Sequence, residues 1–124
     1  MFLGLFLGGA ILRRKDRKTI CEKRVISKCE DTCKTYDSVQ FDAADFLCNQ
    51  EEIKEIRCNV LLDGLGLDAE YTSDFVCVKQ NGDILVRECV FKKYLTKPLT
   101  AKLLNESRKY WLNRGVNDWG IIVE

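Results

Sequence analysis

Apolar residues along the chain fall into separate stretches with two different periods. Phe41, Ala44, Leu47 and Cys48 recur at three- and four-residue steps, as one buried face of a helix requires. Asp37 and Ser38 precede them and suit an N-cap, so the spacing predicts a helix from there to about Asn49. Residues 51–54 read as a turn. Ile56, Cys58, Val60 and Leu62 then alternate with polar positions, which predicts a strand over 55–62 with those four on one face. The run Asp63-Gly64-Leu65-Gly66 ends it.

The strongest local signal lies in 71–91. Segments 75–79 and 83–91 are rich in β-branched and apolar residues, with Asn81-Gly82 between them, a hairpin pattern. A two-residue Asn81-Gly82 turn would place Asp74 opposite Cys89. A three-residue Gln80-Asn81-Gly82 loop, with Gly82 left-handed in a bulge, would pair Lys79 with Asp83 and Asp74 with Glu88. The second register groups Val76 with Val86 and Val78 with Ile84 on the carboxylates' face, and is preferred. Further on, Thr96, Lys97 and Pro98 open a helix. Leu99, Leu103, Leu104, Tyr110 and Trp111 form its stripe to about Asn113, and Gly115 suits the C′ position. A last strand follows over 119–123. The order helix, strand, hairpin, helix, strand implies an α/β or α+β mixed sheet flanked by helices.

The chain of 124 residues is 46% apolar and 31% charged, enough for one core without cross-links. Net charge is +1, so any nucleic-acid face must come from local clustering. Residues 1–12 are almost wholly apolar and the charge follows them. That run is too short to span a bilayer, and a secretory leader would carry its charge first. It reads as a tail, a docked helix turn, an internal stretch after an upstream translation start, or a surface anchor. Arg13, Arg14, Lys15, Arg17, Lys18, Lys23, Arg24 and Lys28 make the next stretch basic. They form a solvated arm or a set of phosphate contacts. Residues 1–35 are thus set apart from a domain over 36–124.

Seven cysteines and no histidine point to reduced thiols in the cytoplasm. Cys21, Cys29 and Cys33 would need a fourth ligand to hold structural zinc. Without histidine, Ser-His and Cys-His catalysis are excluded. Chemistry must rest on carboxylates, lysine or an oxygen-bound metal. Asp74 and Glu88, opposed on a hairpin, would repel unless a cation intervenes. Magnesium or manganese suits such oxygen ligands and could activate water for phosphodiester attack. The alternative is that each carboxylate pairs with Arg87 or Lys92, or is solvated.

The stretch Tyr71-Thr72-Ser73-Asp74-Phe75 resembles a strand of the TnsA-like transposon endonucleases, with Ser73 in place of the usual proline. Ile53-Lys54-Glu55-Ile56-Arg57, Glu106-Ser107-Arg108-Lys109-Tyr110-Trp111 and Trp119-Gly120-Ile121-Ile122 resemble further segments of that family in the same order. The resemblance covers about residues 36–124 and implies a restriction-endonuclease-like fold of the PD-(D/E)xK group. It implies that Asp74 and Glu88 bind Mg2+ or Mn2+. The first-helix acid falls on Gln40, with Asp42 as a stand-in, and the lysine falls on Val90. Lys92, about 13 Å along the strand from Glu88, is the candidate to replace it; Lys97 or Lys102 could also serve. Two expectations follow. One is a metal-dependent DNA endonuclease or nickase of a mobile element or phage. The other is a nuclease fold without chemistry that binds DNA or a protein of transposition or host nucleic-acid machinery, either as an accessory or as an inhibitor of a host enzyme.

Overall fold

A computed structural model describes residues 21–65 and 70–124. The apolar segment 1–12, the residues Arg13, Arg14, Lys15, Arg17 and Lys18, and Gly66 lie outside them. Among the described residues no helix is long and apolar enough to cross a membrane.

Among the described residues eight elements follow in order: β1 (Glu22–Arg24), β2 (Cys33–Thr35), α1 (Ser38–Cys48), β3 (Ile53–Leu61), β4 (Thr72–Lys79), β5 (Ile84–Val90), α2 (Pro98–Asn113) and β6 (Asp118–Val123), with a 3-10 turn at Lys92–Tyr94. The main sheet has the order β3-β4-β5-β6. Its first three strands are antiparallel, and β6 lies parallel to β5, which requires the α2 crossover between them. This is the mixed sheet flanked by helices that the sequence predicts.

Local chemistry explains the element ends. The Asp37 carboxylate accepts from the Gln40 amide at 2.9 Å and caps α1. Pro98 opens α2, and Gly115 follows its end at φ 84. Within the segment 1–35 that was set apart as an arm, β1 and β2 form a small sheet of their own. Lys23, Arg24 and Lys28 belong to that region. Arg24 is engaged there: it pairs with Asp45 at 2.7 Å and lies over the Phe41 ring.

Two cores occupy the two faces of the main sheet. On one, Val76 and Val86 pack with Leu103 and Trp111 of α2. On the other, Phe75, Cys77 and Leu85 pack with Val39, Ala43, Ala44 and Leu47 of α1. The predicted single face of β3 is corrected here. Ile56 and Cys58 lie on the α1 side, whereas Val60 and Leu62 lie on the α2 side. Between them lies Asn59, left-handed at φ 55, and the pairing with β4 runs through it without a shift, from Cys58↔Phe75 to Val60↔Ser73. Asparagine tolerates this conformation better than most residues, and its side-chain amide donates to the Lys34 carbonyl at 2.9 Å.

The hairpin takes the three-residue loop. Val76 pairs with Val86 and Val78 with Ile84, the Lys79 amide donates to the Asp83 carbonyl at 2.7 Å, and Gly82 sits at φ 91. Nothing lies within 4 Å of a Cβ placed at Gly82, so its constraint is conformational. Gly82→Ala should therefore lower unfolding free energy by about 1 kcal/mol, read from a shift in the urea midpoint at unchanged slope. No shift would show that the loop relaxes at no cost.

Candidate functional site

The register of the hairpin brings Asp74 to the level of Glu88, but the β4–β5 ladder stops one pair earlier, at Phe75 and Arg87. Beyond that point β5 stays paired with β6 as far as Val90, and β4 stays paired with β3 as far as Thr72. The two central strands part, and the carboxylates fill the fork. The Asp74 amide donates to Glu88 Oε1 at 2.9 Å, and the Cys89 amide donates to Asp74 Oδ2 at 2.7 Å. Each strand's acid thus accepts a hydrogen bond from the other strand's backbone.

The expectation that Asp74 shares a face with Val76 and Val86 is corrected by this fork. Val76 and Val86 pack under α2, whereas Asp74 Oδ1 accepts from Gln40 Nε2 of α1 at 2.7 Å. Gln40 Oε1 in turn accepts from the Tyr36 amide at 2.8 Å, which fixes the orientation of the amide. Glu88 faces α2. Its Oε2 accepts from the Ser73 hydroxyl at 2.7 Å and from the Ser107 hydroxyl at 2.5 Å. Trp111 Nε1 donates to Ser73 Oγ at 2.9 Å, and Trp119 Nε1 to Ser107 Oγ at 3.0 Å.

Gln40, Ser73, Asp74, Glu88 and Ser107 are each at most 2% exposed. Burial, and then the neighbouring Asp74 charge, push the Glu88 carboxyl up to about 7; the Ser107 and Ser73 hydroxyls and the Asp74 amide oppose the rise. A divalent ion meets two carboxylates closed off from solvent, each of whose oxygens already accepts a hydrogen bond from the protein. To ligate Glu88 Oε2 it would have to displace two hydroxyls. The residues as folded do not fit a resident ion. Among the described residues, no three Cys, Asp or Glu side chains converge to hold a metal ion.

Of the residues singled out from sequence, Gln40, Asp74 and Glu88 come together. Asp42 is exposed on α1 and stands outside the network. Lys92 was expected on the Glu88 face of a continuing strand. The strand ends at Val90, and Lys92 is exposed in the following 3-10 turn. Val90, at the lysine position of the resembled pattern, is 2% exposed. Arg87 binds Asp118 at 2.8 Å, beside Lys79 at 2.7 Å from the same carboxylate. Lys79, and then Arg87, hold the Asp118 carboxyl below its usual range.

Ser107 and the two indoles were missed as members of the site. Ser107 could have been found, because it falls between Leu103 and Trp111 on the buried stripe of α2, where a polar residue needs a partner. No family model matches the chain, and no curated protein matches it.

The network makes stability depend on pH. A buried acid whose folded value lies above its unfolded one binds more protons in the folded state. Stability should therefore fall as pH rises from near 4.5 to about 7. Urea unfolding between pH 4.5 and 8 should show that slope, and Glu88→Gln should flatten it. An unchanged slope in the variant would assign the dependence to other groups.

Proposed function

We propose that the chain is a non-catalytic nucleic-acid-binding protein on a nuclease-like frame, in which the Asp74–Glu88 pair holds the fork rather than a metal. The observation that carries this proposal is a lysine-rich segment that follows β5 in the chain. Between positions 89 and 105 the chain has four lysines, Lys92, Lys93, Lys97 and Lys102, and no acid. All four are exposed. Lys93 and Lys97 place their ammonium groups 5.2 and 5.9 Å from the Tyr94 ring centroid. Lysines gathered round an aromatic ring suit phosphate neutralisation with base stacking. The start of α2 adds unpaired backbone amides and the positive end of its dipole, with no side chain capping it. The closed state of the carboxylates and the burial of Val90 support a role without hydrolysis.

A metal-dependent endonuclease is the second candidate. It is favoured by Gln40, Asp74 and Glu88 meeting as the TnsA-like resemblance implies. In that case Mg2+ or Mn2+ would supply Lewis-acid chemistry at the pair.

Fluorescence anisotropy with labelled DNA in EDTA should give salt-dependent binding. Replacing Lys93 and Lys97 by Glu should weaken it at least about tenfold and reduce the slope of log K against log salt by about 2. Absence of binding would overturn the proposal. So would manganese-dependent nicking of supercoiled plasmid that Asp74→Ala abolishes, which would install the endonuclease in its place. Val90→Lys, which restores the resembled spacing, belongs in the same nicking assay.

A further inference from the structure

None of the seven cysteines is in a disulfide, and away from the fork Cys58 lies close to both Cys29 and Cys33. Cys58 of β3 places its sulfur 3.3 Å from that of Cys33 on β2 and 4.0 Å from that of Cys29. The backbone on both sides of the first pair is fixed. One residue further along each strand, the Asn59 side chain donates to the Lys34 carbonyl, and the left-handed Asn59 sets the bend that follows Cys58. We propose that Cys33 and Cys58 form a reversible dithiol–disulfide site that clamps the β1–β2 sheet to the main sheet, oxidised by small cationic disulfides.

A cavity of about 340 Å³ gives access to the pair, with Cys29 and Cys58 in its wall and Glu30, Asp31 and Glu55 among its lining residues. Arg57 is the basic residue there, and it is paired with Glu55 at 2.8 Å. The acidic wall favours a cationic reagent. Cys33 is fully buried, so the first exchange falls to Cys58. The pair is prepared for this. The thiol of Cys58 donates to Cys33 and, with Arg24 nearby, brings Cys33 down to about 7 against the effect of burial. Holding that proton raises Cys58. The proton rests on Cys58, and only its passage across 3.3 Å to Cys33 leaves Cys58 as the attacking thiolate.

The exchange balances with a disulfide of the cystamine type. Cys58 sulfur, passing its proton to Cys33, attacks one sulfur of the reagent. The S–S bond of the reagent breaks, and one cysteamine thiolate leaves. That thiolate takes up the proton from Cys33. The Cys33 thiolate attacks the Cys58 sulfur and expels a second cysteamine, which is protonated by water. Two protein thiols are oxidised, and one cystamine is reduced to two cysteamines. The shorter contact selects Cys33 over Cys29 as the closing partner.

The test uses the full chain purified in reductant and then freed of it. Alkylation in denaturant should first modify all seven thiols. After cystamine treatment under native conditions, peptide mapping should find a Cys33–Cys58 link that dithiothreitol reverses. The link should raise the melting temperature by about 5 °C or more. Cys33→Ser should instead accumulate a mixed disulfide on Cys58. A native chain that keeps seven reactive thiols, that holds only mixed disulfides, or that links Cys29 to Cys58 would overturn the proposal. The wild-type map decides the matter even if a serine variant fails to fold.

Discussion

Two strands that leave each other inside a protein expose backbone amides that water cannot reach, and an orphaned buried amide costs about as much as a lost hydrogen bond. Here the problem arises where β4 and β5 separate, one pair beyond Phe75 and Arg87. It is solved by side chains of the same two strands. Asp74 takes the Cys89 amide, and Glu88 takes the Asp74 amide. The solution brings in two acids, and buried acids in turn need donors of their own. Much of the surrounding structure supplies them.

Those donors come from three elements. Gln40 arrives from α1, Ser107 from α2 and Ser73 from β4 itself. The tryptophans of α2 and β6 then hold the two serines in place. The network thus joins both faces of the sheet, which the two apolar cores keep separate. It has no buried cation among these partners, and the repulsion between the acids is one of the causes that raise the Glu88 carboxyl. Loss of a donor removes a hydrogen bond to a buried acid, at a cost of about 1–3 kcal/mol.

The periodicity of the chain was enough to place both helices, the hairpin and the last strand. Chemistry at particular positions set their ends: Asp37 before α1, Pro98 at the start of α2, Gly115 beyond it and Gly82 in the loop. Two features escaped. β1 and β2 are three residues each, too short for an alternation to register, and their charges read as an arm. The face change in β3 falls at the left-handed Asn59, which no apolar pattern encodes. At the site, spacing brought Asp74 level with Glu88. It could not show that the ladder ends before them, because the parting is set by what α1 and α2 offer on opposite sides. A lysine two residues after Glu88 would have continued the resembled pattern. Val90 is buried instead, and the strand ends there.

The chain has two tryptophans, and both indole N–H groups are spent on the serines that hold Glu88. Indole emission responds to hydrogen bonding and to nearby charge. The protein therefore carries a built-in optical reporter whose two emitters are wired to one carboxylate. Its fluorescence would follow the opening or titration of the fork itself, with no label attached and little background from the rest of the molecule.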